Sequence, residues 1–164
     1  MERFEEIYEE HRDAVRAFVR RRAPASVVDD VVSETFLVCL RKLERVPAEP
    51  LPWLYAVARK TLANQRRRLE RDDRLGDVAL ASEVAEPEPV GDIALAAAFA
   101  ALSERDREVL RLVAWEGLSL GQAAVVLGCS AVACRVRYHR AKTRLARRLE
   151  AATNFRADLK GATR

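Results

Sequence analysis

Thirty residues, SLGQAAVVLGCSAVACRVRYHRAKTRLARR from 119 to 148, restrict the fold of this chain more than any other stretch. They hold two short amphipathic patterns separated by Gly128, and the second carries seven Arg or Lys and no acid. Ser119 followed by Gln122 is the spacing of a capping box. Leu120, Ala123, Ala124 and Leu127 then recur at helical intervals, and Gly128 supplies a left-handed stop. Ser130 is placed to cap the next helix. On that helix Cys134, Tyr138, Ala141 and Leu145 form one apolar stripe. Arg135, Val136, His139 and Arg140 fall on a different face, with Arg137, Arg144, Arg147 and Arg148 on the flanks. A solvated basic helix normally intersperses acids for i,i+4 pairing, and none appears here before Glu150. The pattern predicts a helix-turn-helix whose second helix packs by one face and meets a polyanion, DNA above all, with the other.

Charge is distributed as unevenly as this motif implies. The formal net charge of +4 conceals +3 over residues 1–71, −6 over 72–93 and +7 over 94–164. The middle stretch also contains Gly76, Pro87, Pro89 and Gly91 and has little periodicity, so a flexible acidic linker is expected at 72–93. The fold class that follows is all-α, with two small helical domains at 1–71 and 94–150 and a frayed tail at 151–164. No apolar run approaches the ~20 residues of a membrane span, and the acidic amphipathic start is unlike a signal peptide. No membrane insertion and a cytoplasmic location are therefore expected. Cys39, Cys129 and Cys134 lack CxxC or Cys/His spacing, which predicts no metal site and no structural disulfide. Cys39 and Cys134 fall on apolar stripes and are expected to be buried thiols.

Three helices are predicted before the linker. Phe4, Ile7, Tyr8, His11, Val15, Phe18 and Val19 trace one face of the first, with His11 packed rather than ligating. The second opens at a Ser26/Asp29 capping pair, turns Val28, Val31, Val32, Thr35, Phe36, Cys39 and Leu43 inward, and stops near Val46. Asp30, Ser33, Glu34, Leu37 and Arg41 share its outer face. Pro52 reads as the first residue of the third helix, which runs to about Arg71. Lys60, Asn64 and Arg67 lie on its outer side. Arg66, Arg67 and Arg68 favour the helix C-terminus electrostatically, but three consecutive arginines point in different directions, so at least one serves something else. After the linker a helix is expected around Ile93–Ala101, and another opening at Ser103/Asp106 with Val109, Leu110 and Val113 inside and Gly117 as its stop.

The order of these parts, DDVVSETFLVCLRKL followed by PWLYAVARKTLANQRRR and then LSERDREVLRLVAWEGLSLGQAAVVLGCSAVACRVRYHRAKTRL, resembles bacterial sigma factors of the extracytoplasmic-function group. The likeness covers nearly the whole chain apart from linker and tail. It implies that residues 29–41 correspond to the polymerase-binding helix, with Asp30 and Glu34 as its acids. The family usually has Gln where Ser33 stands. It implies that Lys60 and Asn64 reach the minus-ten promoter element, with Arg66, Arg67 and Arg68 on phosphates. A loop at 46–52 beside a half-buried Trp53 would receive an extruded base. The family's recognition helix commonly begins Ser-x-Gly-Thr-Val-Lys-Ser-Arg, whereas this chain has Ser130, Ala131, Val132, Ala133, Cys134, Arg135, Val136 and Arg137. Apolar contacts thus replace polar ones, which points to an altered minus-thirty-five preference.

Within the resemblance, Arg135 and Arg140 are the expected guanine readers and Val136 the residue against a thymine methyl. Arg137, His139 and Arg147 complete the expected DNA surface. The implied partners are core RNA polymerase, promoter DNA and an anti-sigma factor, with no cofactor. The resemblance implies a non-enzymatic promoter-specificity subunit, and the absence of paired catalytic carboxylates, a metal cluster or a phosphate loop from the sequence speaks against a nucleic-acid-modifying enzyme. The alternative is a stand-alone helix-turn-helix regulator that binds a palindromic operator as a dimer.

Overall fold

The computed structural model describes the backbone of residues 1–73 and 93–161, and side chains as far as Ala151. The chain divides into two compact units, Met1–Pro87 and Glu88–Arg164. Seven α-helices and no strand occur among the described residues. The linker expected at 72–93 falls outside the described residues except at its ends, where Asp72 and Asp73 close one helix and Ile93 opens the next.

In the N-terminal unit, α1 (Glu2–Arg20), α2 (Ala25–Arg41) and α3 (Pro50–Asp73) pack against one another. Their apolar stripes meet in a core where Val15, Phe18, Val19, Val31, Cys39, Leu54 and Ala58 are fully buried. Phe18 stacks on Tyr55 with ring centroids 4.3 Å apart, and Tyr8 meets Phe36 edge-on at 4.8 Å, so α1 has an aromatic contact with each of its two partner helices beyond simple area burial. The Arg22 guanidinium covers the other face of Phe18 at 3.7 Å and donates to the Phe18 carbonyl oxygen. His11 is buried on the α1 stripe, as its spacing predicted.

Three boundaries differ from the sequence reading. Helix α2 starts at Ala25 with Pro24 as its cap residue, and no side chain caps it. Pro24 has the extended backbone that launches the helix two residues earlier, which leaves Ser26 inside the first turn. Asp29 pairs instead with Arg16 of α1 at 2.6 Å. At its other end α2 stops at Arg41, not near Val46, and the chain tightens into a 3-10 turn at Leu43–Arg45. The Arg3 side chain reaches across 40 residues and donates to the carbonyls of Leu43 and Val46, at 3.0 and 2.7 Å, which holds this connection against the start of α1. Helix α3 begins at Pro50, so that Pro52 also lies in its first turn, where the missing N–H groups would have had no intrahelical partner.

The C-terminal unit contains α4 (Ile93–Ala100), α5 (Glu104–Ala114), α6 (Leu120–Leu127) and α7 (Ala131–Gly161). Val109, Leu112, Ala123, Cys134 and Ala141 are fully buried at its centre. Ser103 caps α5 by accepting from the Asp106 N–H at 3.2 Å. The Asp106 carboxylate turns inward to accept from Arg144 of α7 at 2.6 Å, binding the last helix to α5. The backbone of α7 continues past Glu150, where a frayed tail was expected, to Gly161. Between Gly128 and Gly161 the sequence holds neither Gly nor Pro to interrupt it.

Candidate functional site

Two surfaces gather the residues that the sequence singles out, one in each unit. In the N-terminal unit, α2 and α3 wall a groove of about 680 Å³. Asp30, Ser33, Glu34 and Leu37 line one wall, and Trp53, Lys60, Asn64 and Arg68 the other. Residues expected to face polymerase and residues expected to face DNA therefore confront each other across one groove. The α2 side is acidic and apolar, with Leu37 44 % exposed, and the α3 side is basic. Lys42 and Arg45, which the sequence reading did not select, close the end of the groove. Their signal was available: two cations just beyond an acidic helix face and before a Pro-rich connection.

The three consecutive arginines of α3 part company. Arg68 joins the groove, whereas Arg67 folds back on its own helix, donating to Asn64 Oδ1 at 3.0 Å and to the Ala63 carbonyl at 3.2 Å. Arg66 is exposed. Asn64 thus meets the groove with its carbonyl oxygen engaged by Arg67 and its amide N–H groups left to donate. Arg41 is exposed at the far end of α2, 4.0 Å from Glu34. Trp53 is half-buried, while its neighbours Leu54 and Tyr55 enter the core. Because α3 already starts at Pro50, the loop beside Trp53 is confined to residues 46–49, shorter than expected.

The second surface is the outer face of α7, and its placement follows from local chemistry. Ser119 Oγ accepts from the Gln122 N–H while Gln122 Oε1 accepts from the Ser119 N–H, so both halves of the capping box form. Gly128 ends α6 at φ +65°, a left-handed conformation that a Cβ would strain. Ser130 Oγ then accepts from the Ala133 N–H and caps α7. Helices α6 and α7 meet at 102°, within the range of helix-turn-helix pairs. Leu120 and Leu127 are only half-buried, and Val126 takes the place in the core that the sequence reading gave them.

On α7, Cys134 and Ala141 seal the inner side completely, and Tyr138 and Leu145 are half-buried. Arg135, Val136, His139, Arg140 and Arg147 are exposed, and Arg137 lies half-buried at the edge. Arg144 belongs to the packing, through Asp106, more than to the outer surface. Val132 is 71 % exposed and shares the outer face one turn before Val136; its four-residue spacing from Val136 was the signal that sequence reasoning passed over. Burial pushes the Cys134 thiol upward, and contact with Cys129 adds to the shift. Cys39 is raised by burial in the other core.

Comparisons with known proteins match both units. The family described as Sigma-70 region 2 matches residues 7–72, and that described as Sigma-70, region 4 matches residues 92–145. The chain is 35 % identical over 147 residues to the ECF RNA polymerase sigma factor SigF of Caulobacter vibrioides, covering 84 % of this chain and 80 % of that protein. It is 33 % identical over 145 residues to the RNA polymerase sigma factor CnrH of Cupriavidus metallidurans, covering 78 % and 76 %. Among solved structures, the complex of CnrH with the cytosolic domain of CnrY aligns with a TM-score of 0.60 at 26 % identity, covering 90 % of this chain and 88 % of that one. The sigma factor RpoE of Bartonella quintana, solved with the anti-sigma factor NepR, shares the fold with a TM-score of 0.70 at 24 % identity, covering 92 % and 98 %.

Proposed function

Because the chain belongs to the sigma-70 family of RNA polymerase sigma factors, in its extracytoplasmic-function group, we propose that its two units divide promoter recognition between them. The outer face of α2, with Asp30, Ser33, Glu34, Leu37 and Arg41, docks on core polymerase. The opposite wall of the same groove, with Lys60, Asn64 and Arg68, holds the opened minus-ten strand, while Arg66 and Arg67 lie along its phosphates. Helix α7 enters the major groove of the minus-thirty-five element through Arg135, Val136, Arg137, His139 and Arg140, with Arg147 on the backbone. Polymerase fixes the two readers relative to the DNA, so that two modest affinities multiply through effective concentration.

The observation that carries this reading is the outer face of α7. Its four predicted readers, Arg135, Val136, His139 and Arg140, are all exposed, on a helix anchored by buried Cys134 and Ala141 and started by a formed cap. Specificity of this kind needs no catalytic group, and the protein acts where polymerase does, in the cytoplasm. Among the described residues no single helix is long and apolar enough to cross a membrane. By similarity to CnrH, which is solved with the cytosolic domain of CnrY, and to RpoE, solved with the anti-sigma factor NepR, this chain also takes an anti-sigma partner.

Reconstitution tests the proposal. The purified chain should co-elute with core polymerase and confer run-off transcription from a subset of a random promoter library. Binding to a palindromic duplex as a dimer, with no association with core polymerase, would replace this reading with that of a stand-alone regulator.

A further inference from the structure

Val132 is the most exposed valine of the described residues, at 71 %, and Val136 one turn later is 43 % exposed. Valine is a poor choice for a solvent-facing helix position, since its branched side chain loses rotamer freedom and offers water only apolar surface. Neither fold nor solubility asks for it twice on one face. The two valines lie on the centre line of the outer face of α7, with Arg135 on one side and Arg140 on the other. An apolar pair bracketed by cations matches a surface that is anionic at its rims and apolar at discrete points inside. The major groove has that character, because phosphates border it and each thymine presents a C5 methyl group on its floor.

Resting on the reading of α7 as the promoter-facing helix, we propose that Val132 and Val136 form a two-point apolar reader that selects thymine at two positions of the upstream promoter element. Residues four apart on a helix are separated by about 6 Å along its axis, close to two base-pair steps of about 3.4 Å. The two thymines therefore lie within two base pairs of each other. The arginines on either side supply phosphate or guanine contacts, and the valines supply discrimination that charge alone cannot give. Each methyl group withdrawn from water contributes about a fourfold preference for thymine over a base lacking it.

Deoxyuridine differs from thymidine only by that methyl group, which makes the test direct. Holoenzyme reconstituted with core polymerase is bound to a duplex promoter chosen from a random upstream library, with each upstream thymine replaced by deoxyuridine in turn. The expected result is a loss of about fourfold at two positions no more than two base pairs apart. Val132→Ala should abolish the penalty at one of them and Val136→Ala at the other; alanine is the stronger helix former, so neither variant threatens the fold. If deoxyuridine is tolerated everywhere while binding still depends on upstream sequence, the valine reader is refuted and α7 remains the promoter-facing helix. Persistence of the penalty in the double alanine variant also refutes it, since another group then senses the methyl. Indifference to the whole upstream sequence would overturn the assignment of α7 itself.

Discussion

Replacing Arg144 by Ala should destabilise the C-terminal unit substantially while leaving its electrostatic contribution to DNA binding intact. Asp106 is almost wholly buried, its side chain 7 % exposed, and its carboxylate accepts from Arg144 at 2.6 Å, whereas the Arg144 side chain is 57 % exposed. Breaking a fully buried pair costs about 3–5 kcal/mol, and an exposed pair contributes at most about 1 kcal/mol. With one partner dry and the other wet, the expected loss lies between, about 2 kcal/mol, most of it the desolvation of a carboxylate left without its donor. For a unit of this size that corresponds to about 8–16 °C in unfolding temperature. Calorimetry on the full chain should show one transition moved and the other in place. A double-mutant cycle with Asp106→Ala should return a coupling of about 1–2 kcal/mol. If Arg144→Ala leaves unfolding unchanged and instead lowers the salt slope of promoter binding by about 1, the guanidinium serves phosphate and the α5–α7 anchor is misidentified.

Three further outcomes follow from the surfaces described. Asp30→Lys with Glu34→Lys reverses the charge of the exposed α2 face, and should abolish competition for core polymerase while thermal unfolding stays within about 0.5 kcal/mol of the parent. Arg135→Ala and Arg140→Ala should each cost about 1–3 kcal/mol and relax preference at one or two upstream positions; Arg147→Ala should weaken all promoters alike and flatten the salt dependence, and a library titration at several salt concentrations separates the two patterns. Alkylation followed by mass spectrometry should modify half-exposed Cys129 first, because burial raises Cys39 and Cys134 above the ordinary thiol range and depletes their thiolates at neutral pH. Those two should react only as pH is raised or the chain unfolded, and early modification of Cys134 would contradict its burial on the inner face of α7.

Local chemistry was the readable part of this sequence. The Ser119/Gln122 box, the Gly128 stop, the Ser130 cap and the Cys134/Ala141 seam all depend on residues within a turn or two of each other, and each stands where spacing placed it. Where reading failed, a distant partner decided. Arg3 holds the 3-10 turn 40 residues away, Arg16 draws Asp29 out of a cap, and Asp106 takes Arg144 from the basic flank. The groove is the largest case. Its two walls are each visible as an outward helix face, but only packing of α2 on α3 reveals that they face each other. Val132 was passed over for another reason: it lies off the core stripe, and its four-residue spacing from Val136 marks an outer face that core periodicity does not single out.

The chain contains two tryptophans, and each unit holds one. Trp53 lines the groove of the N-terminal unit, and Trp115 lies half-open to water against Phe99, with ring centroids 5.4 Å apart. Indole emission shifts with the polarity of its surroundings, so the protein carries a native optical label in each half. Filling the groove should shift the Trp53 band to the blue, and disturbing the contact with Phe99 should alter the Trp115 band. With Trp53 or Trp115 changed to Phe in turn, engagement of each unit can be timed separately, without attaching a dye to either surface.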